Sequence, residues 1–213
     1  MIKFFTRCFA MLLLVAAATL HSHGQTPFYT ENFSNGLPAS WTNVDGTSIP
    51  SQAVIFQHST DPAAVAVAAL GYVPSSTFNA ATASNGYVWA NSDRGLPSAP
   101  AEDHTTQLTT AAINCSGQSI VFLRFQSLIG VFDYPANENV RVRVSNNGGT
   151  SWTEFVPFPC LITGAAAPPC TRWSANPEIV GLDISSAAAN QAAVLIQFQW
   201  IGGWDYFWAI DDI

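Results

Sequence analysis

The stretch that decides the fold is residues 202–213, which read GGWDYFWAIDDI. Successive side chains of a β-strand point to opposite faces, so Tyr206 and Trp208 are predicted to share one face and Phe207 to lie on the other. The aromatic run then meets two adjacent aspartates. An aromatic strand that runs into paired carboxylates favours a buried or half-buried site for a hard cation over a solvated acidic patch. We also expect the last strand to be truncated, because strands seldom stop at a chain end.

The beginning of the chain has the pattern of a secretory signal. Lys3 and Arg7 precede an apolar run at residues 11–18, which is too short to span a bilayer comfortably. We therefore expect residues 1–24 to be a signal peptide and residues 25–213 to form a single exported domain, secreted or at the cell surface. The alternative is a retained membrane anchor. No second apolar run is long enough to span, so no membrane-spanning segment is predicted in the mature chain.

The charge balance excludes two classes of partner. From Gln25 onward the chain has five arginines and no lysine against fourteen acids, hence a formal charge of −9. Nucleic acids and anionic membranes both require clustered positive charge, which this composition does not provide. The expected partners are an extracellular protein or a glycan.

Short alternating segments indicate an all-β domain. Apolar and polar residues alternate at 121–125, 140–144 and 194–200, the pattern of half-buried antiparallel strands. Helical periodicity is almost absent after residue 24. The sequence therefore predicts an antiparallel jelly-roll β-sandwich. Residues 53–70 leave two alternatives open: a strand with a short helix, or a long excursion over one sheet.

Residues 145–152, SNNGGTSW, predict a tight hairpin, because Asn and Gly tolerate the positive φ angles that such a turn needs. We expect Trp152 to pack back over the turn.

Three cysteines remain after the signal. Cys160 and Cys170 bracket a Pro/Ala/Gly-rich stretch, and an exported protein permits a disulfide between them. Cys115 is then left over, either as a buried free thiol or as the partner of a missing segment.

Common catalytic signatures are missing from the sequence. It contains no G-x-S-x-G elbow, no H-E-x-x-H helix and no phosphate-binding glycine motif. His104 is expected to be a surface or turn histidine, with a catalytic or metal role as the alternative. Asp211 and Asp212 should face opposite ways and so cannot form a glycosidase pair with each other. We therefore expect a protein that is not an enzyme.

Three motifs, in order, resemble a known family. Residues 31–42 read ENFSNGLPASWT, residues 140–152 contain V-x-V-S-x-x-G-G-x-x-W, and residues 208–213 read WAIDDI. In these motifs the chain resembles the cleaved-adhesin and MAM-like jelly rolls, which are accessory modules of secreted Bacteroidetes proteins. The resemblance implies a concanavalin-like sandwich that often binds calcium and acts in adhesion or docking, not in catalysis.

The resemblance also implies a calcium site. It places ligands at Glu31 and Asp212, with contributions from Asp93 and Asn91. The alternative for Glu31 and Asp212 is hydrogen bonding at strand ends without a metal. Asp45 matches the start of a second calcium loop seen in some members, but the rest of that loop is missing.

The resemblance further implies that other domains follow, often with a sorting signal for type IX secretion. Two other functions stay open. One is a carbohydrate-binding module of a secreted glycosidase or protease, with Trp204 as the candidate for stacking on a sugar, whereas Trp200 and Trp208 are expected in the core. The other is a glycoside hydrolase built on a sandwich fold.

Overall fold

The computed structural model describes residues 26–46, 53–68, 77–92, 104–131, 139–159, 173–203 and 206–213. The predictions for the signal peptide, Asp93, the Cys160–Cys170 disulfide and Trp204 lie outside these residues. Within the described ranges, no helix is long and apolar enough to cross a membrane.

The described residues form ten strands and two short helices. The strands are β1 (Thr42–Asp45), β2 (Gln57–Ser59), β3 (Tyr87–Asn91), β4 (His104–Thr109), β5 (Phe122–Gly130), β6 (Asn139–Ser145), β7 (Thr153–Phe155), β8 (Glu178–Asp183), β9 (Leu195–Gly202) and β10 (Phe207–Asp211). A 3-10 helix spans Pro62–Ala68, and helix α1 spans Ser185–Ala188.

The strands form two antiparallel sheets of five strands each. Sheet A has the order β1-β4-β9-β6-β7, and sheet B has the order β2-β3-β10-β5-β8. Every strand pair is antiparallel. The predicted antiparallel β-sandwich is therefore confirmed, and the alternating segments in the sequence are half-buried strands whose apolar face is turned to the opposite sheet.

Strand β10 lies at the centre of sheet B and is buried on both faces. Trp208 belongs to the core between the sheets, and Phe207 packs in a second apolar cluster on the other face of sheet B. Tyr206 belongs to this second cluster, so the prediction that it shares a face with Trp208 is wrong. The reason is that β10 begins only at Phe207 and Tyr206 stacks on Trp173 at a ring distance of 4.7 Å. Trp200 and Trp208 are fully buried, as predicted.

The structure decides one alternative that the sequence left open and confirms the predicted hairpin. The described part of residues 53–70 contains β2 and the 3-10 helix, which is the strand-and-helix alternative. The hairpin joins β6 to β7, with φ angles of +68° at Gly148 and +86° at Gly149. The Ser145 hydroxyl accepts the Gly149 N–H at 2.9 Å and closes the turn. Trp152 lies half-buried beside it, 5.1 Å from the Arg143 guanidinium.

Candidate functional site

The two adjacent aspartates lie where β10 ends. Asp211 is the last residue of the strand and is fully buried. Asp212 has a φ angle of +50°, in the left-handed region that Asp tolerates better than most residues. This conformation turns the chain out of the strand and leaves Asp212 half-buried.

One hydroxyl lies between the two carboxylates. The Thr82 Oγ1 atom is 2.9 Å from Asp211 Oδ2 and 2.6 Å from Asp212 Oδ2. The Gln126 side-chain amide donates to Asp212 Oδ2, and the Asp212 N–H donates to Asp211 Oδ1 at 2.8 Å. Because a hydroxyl carries a single proton, Thr82 can donate to only one of its two carboxylate neighbours at a time. We call this group of side chains the closing-acid cluster; it consists of Thr82, Gln126, Asp211 and Asp212. The cluster is thus short of one hydrogen-bond donor.

Burial is the main influence on the charge of Asp211. It raises the pKa of the Asp211 carboxyl to about 6; the Thr82 hydrogen bond lowers this pKa, and the nearby Asp212 charge raises it again. At neutral pH Asp211 is therefore mostly ionised in spite of its burial. A buried negative charge beside a second carboxylate favours a bound cation or proton.

Main-chain hydrogen bonds to Ile213 place Glu31 next to this cluster. The Glu31 N–H donates to the Ile213 carbonyl at 2.8 Å, and the Ile213 N–H donates back at 2.9 Å. The Glu31 side chain accepts the Phe33 N–H at 2.7 Å. The structure thus places Glu31 beside Asp212, although one carboxylate oxygen of Glu31 is already used in a local turn.

Asn91 is not brought to Asp212. It pairs with Phe207 at the other end of β10, four residues from Asp211, which corresponds to about 13 Å along the strand. One ion cannot take side-chain ligands from both Asn91 and Asp212 in this arrangement, since calcium–oxygen distances are about 2.3–2.6 Å. The described residues also contain no group of three or more His, Cys, Asp or Glu side chains that could hold a metal.

The donor chemistry of the closing-acid cluster nevertheless suits a hard cation. Its side chains offer two carboxylates, a hydroxyl and an amide, which are the oxygen ligands that calcium prefers. Sequence reasoning did not find Thr82 or Gln126. They come from a turn and from β5, far from Asp212 in the chain, and only the pairing of β10 with β5 brings Gln126 opposite Asp211.

Asp45 has a structural role here. Its two carboxylate oxygens accept the Val54 N–H at 2.6 Å and the Thr105 N–H at 2.7 Å. The carboxylate therefore ties the end of β1 to β4 and to the segment before β2.

His104 is not a surface residue, so that expectation is wrong. It is fully buried in β4, where its Nε2 lies 2.9 Å from the Ser92 hydroxyl and its Nδ1 lies 2.9 Å from the Thr106 hydroxyl. Its ring also packs edge-on against Trp200 at 4.7 Å. A Ser–His contact that is buried to this degree gives a substrate no access, and we read it as a polar network inside the sandwich.

A second feature is the outer face of sheet A. Strand alternation turns a set of polar side chains away from the core there, and we call this set the polar face: Gln107, Thr109, Arg141, Arg143, Glu154, Gln197 and Gln199.

The side chains of one row of the polar face contact one another, although the buried Arg143 Nε has no hydrogen-bond partner. Gln197 donates to the Thr109 hydroxyl at 3.0 Å, and Arg143 donates to the Gln197 amide oxygen at 2.8 Å. Arg143 also lies 3.4 Å from the Glu154 carboxylate. The row pairs every charge with a neighbour and holds the side chains in fixed positions.

The neighbouring row contains side-chain amides that are available for hydrogen bonding. The strand register sets Gln107 opposite Gln199, and Gln199 opposite Arg141. Gln199 is only 7% exposed, and its amide forms no hydrogen bond with another described residue. Planar amides and a guanidinium that lie side by side can donate to and accept from the hydroxyl groups of a ligand.

Comparisons with known proteins support the fold. No protein-family model and no curated protein matches the chain. Among solved structures, the chain is similar to the K3 cleaved adhesin domain of Lys-gingipain from Porphyromonas gingivalis, with 19% identity, 87% of this chain and 95% of that chain covered, and a TM-score of 0.50. The K1 cleaved adhesin domain of the same protein has 18% identity, coverage of 86% and 94%, and a TM-score of 0.48. TmCBM61, solved with β-1,4-galactotriose, has 11% identity, coverage of 85% and 90%, and a TM-score of 0.41. At these identities the likeness concerns the fold alone.

Proposed function

We propose that this chain is a secreted, non-catalytic adhesion or ligand-binding module whose sandwich is stabilised by calcium at the closing-acid cluster. The observation that carries the calcium proposal is that Asp211 and Asp212 share the single proton of the Thr82 hydroxyl. The fold shared with a cleaved adhesin domain supports the role in binding.

The ligand set that we propose differs from the one suggested by sequence. Asp211 and Asp212 would bind the ion with their carboxylates and Thr82 with its hydroxyl, and Gln126 would present its amide oxygen after a half-turn of the amide. Glu31 would support the site through its main-chain pair with Ile213. The bound ion would supply the positive charge that a buried carboxylate pair lacks.

The location explains why such an ion would stabilise the whole domain. Thr82 comes from a turn, Gln126 from β5, and Asp211 from the central strand of sheet B. Joining these segments at one point would hold the end of the sandwich together, and it would remove the repulsion between two ionised aspartates.

The test is thermal unfolding of residues 25–213 with calcium and with chelator. A hundredfold excess of calcium over its Kd should stabilise the fold by about 2.7 kcal/mol, which is about 5–10 °C for a domain of this size. The Asp212→Asn variant should lose this response. Asp183→Asn, which changes an exposed carboxylate at the end of β8, should keep it. A folded wild-type chain whose midpoint ignores calcium would contradict the proposal.

A glycan is the ligand class favoured by the polar face. The support is the strand register, which sets Gln107, Gln199 and Arg141 side by side on the outer face of sheet A; Gln107 and Arg141 are half-buried there and Gln199 is buried. Trp204, outside the described residues, is the candidate for aromatic stacking on a sugar ring.

Affinity electrophoresis in gels that contain soluble polysaccharides tests this second candidate. Retardation of the wild-type chain should be lost in Gln199→Ala and Trp204→Ala and kept in Ile179→Thr, which changes an exposed residue on sheet B. Equal retardation of all four proteins would remove the polar face from consideration.

The hydrolase alternative has less support. A retaining glycosidase needs two carboxylates about 5 Å apart across an accessible cleft. The expectation that Asp211 and Asp212 face opposite ways is wrong, since both carboxylates contact the Thr82 hydroxyl, but Asp211 is fully buried and cannot reach a substrate.

A further inference from the structure

The polar face carries an excess of positive charge on a strongly acidic chain. From Gln25 onward the formal charge is −9, yet the polar face has two arginines, Arg141 and Arg143, against one acid, Glu154. The local charge of this set is therefore +1. Such a face suits a ligand with one negative charge, whereas the rest of the domain would repel a polyanion.

Glu154 compensates the two arginines unequally. Its carboxylate lies 3.4 Å from Arg143 Nε and 4.0 Å from Arg141 Nε. Arg143 also donates to the Gln197 amide oxygen at 2.8 Å. The Arg141 guanidinium has a single hydrogen bond within the described part of the chain, from Nη1 to the Val140 carbonyl at 2.9 Å. The uncompensated positive charge is therefore centred on Arg141.

Two amides beside Arg141 also lack partners. Gln107 and Gln199 follow it in the strand register, and neither amide forms a hydrogen bond with another described residue. Gln199 is only 7% exposed. Among the described side chains, only the Arg143 Nε atom is both fully buried and without a hydrogen bond, so the Gln199 amide reaches the surface. A nearly buried side chain with an unpaired amide is costly unless water or a ligand completes its hydrogen bonds.

The three groups form a row across sheet A. Gln107, Gln199 and Arg141 belong to β4, β9 and β6, so neighbouring members are one strand spacing apart and the row is about 10 Å long. Val44 on β1 continues the row opposite Gln107 and is 50% exposed. Strand β9 is paired on both sides, so its main-chain groups are used within the sheet. A ligand on this face therefore meets side chains only.

Building on the glycan-binding function proposed for the polar face, we propose that its ligand is a glycan with an isolated uronic acid. Arg141 binds the carboxylate, and Gln199 and Gln107 bind ring hydroxyls. A planar guanidinium holds a carboxylate through two parallel N–H bonds, and an amide both donates to and accepts from hydroxyls. An acidic peptide offers the carboxylate but no row of hydroxyls, and it cannot add to a sheet at a strand that is paired on both sides.

Affinity electrophoresis with glucuronoxylan, in which single glucuronic acids branch from a neutral backbone, tests the proposal. The matched probe is the same polysaccharide after chemical reduction of its carboxyl groups, which keeps the sugars and removes the charge. The wild-type chain of residues 25–213 should bind the native form at least about tenfold more tightly than the reduced form. Methyl glucuronide should compete with the polysaccharide, and methyl glucoside should not.

Three variants locate the charge that matters. Arg141→Gln should abolish the preference for the native form. Glu154→Gln removes the competing acid from the exposed edge of sheet A and should tighten binding of the native form about threefold. Arg124→Gln changes the net charge as much as Arg141→Gln does, but it lies exposed on sheet B and should leave binding unchanged. The unfolding midpoint of each variant verifies that it folds.

The outcomes separate this proposal from glycan binding in general. Equal retardation by native and reduced glucuronoxylan, lost in Gln199→Ala, would overturn the role of the uronic acid and leave glycan binding intact. No retardation by either form would also overturn it, and neutral polysaccharides would then test glycan binding separately. Competition by acetyl-Ala-Glu-Ala-amide as strong as that by methyl glucuronide would overturn it in favour of an acidic peptide.

Discussion

At the scale of single residues, two segments of main chain approach each other closely at Gly86. A Cβ atom at this position would lie 2.2 Å from the Phe33 carbonyl oxygen and 2.8 Å from His58 Nε2. The Gly86 φ angle is +153°, which L side chains rarely adopt. The main chain before β3 thus passes directly under the segment that carries Glu31, and only glycine fits there.

We expect Gly86→Ala to destabilise the fold by about 2 kcal/mol or more, since overpacking and backbone strain add. Gly181→Ala is the matched control, because a Cβ atom at Gly181 meets nothing within 4 Å. Urea unfolding of both variants measures the difference. Equal stabilities would show that the Phe33 segment can move away without cost.

Asp211 should make the free energy of unfolding depend on pH when a chelator is present. Burial raises its pKa from 3.8 to about 6, so the folded state favours the protonated carboxyl. This stabilising contribution is complete below about pH 4 and is lost as the pH rises through about 6. The free energy of unfolding should fall over this range in the wild-type chain. The fall should be smaller in Asp211→Asn, which cannot ionise.

Urea titrations at several pH values, in chelator, compare the two proteins. Other carboxylates titrate in both of them, so the difference between the curves isolates Asp211. Parallel curves would mean that Asp211 has no shifted pKa.

At the scale of elements, Asp45 connects three segments. Its carboxylate accepts N–H groups from Val54 and Thr105, at 2.6 and 2.7 Å. Asp45→Ala leaves both donors without this partner and should cost about 2–3 kcal/mol. Glu154→Ala removes exposed ion pairs to Arg141 and Arg143, and this should cost less than about 1 kcal/mol. Chemical denaturation of the two variants tests this order, and a larger loss in Glu154→Ala would contradict it.

At this same scale, alternation in the sequence was sufficient to predict strands β5, β6 and β9, because one face of each strand is apolar. It was not sufficient for β10. Both faces of β10 are buried, so the pattern contains no contrast, and Tyr206 was assigned to the wrong side.

At the scale of the whole molecule, Trp208 joins the two sheets. Its ring contacts Phe56, Phe158 and Phe198 at centroid distances of 5.7, 6.1 and 6.0 Å, and its indole N–H donates to the Ser127 hydroxyl at 2.9 Å. Phe198 belongs to sheet A and Trp208 to sheet B, so this contact crosses the core.

Trp208→Ala should therefore destabilise the entire sandwich by about 3–5 kcal/mol. Trp152→Ala, at the half-buried hairpin, is the control and should cost much less. Both values come from denaturant unfolding followed by circular dichroism. A mild effect of Trp208→Ala would show that the core between the sheets collapses around the missing ring.

The sequence by itself determined the fold class, the hairpin at residues 145–152 and the burial of Trp200 and Trp208, because these depend on local periodicity and turn chemistry. It also indicated that the paired aspartates end a strand. Only the tertiary structure decided which residues meet there. Thr82 and Gln126 come to Asp212 from distant parts of the chain, and Asn91 lies at the other end of β10, because strand register sets these distances.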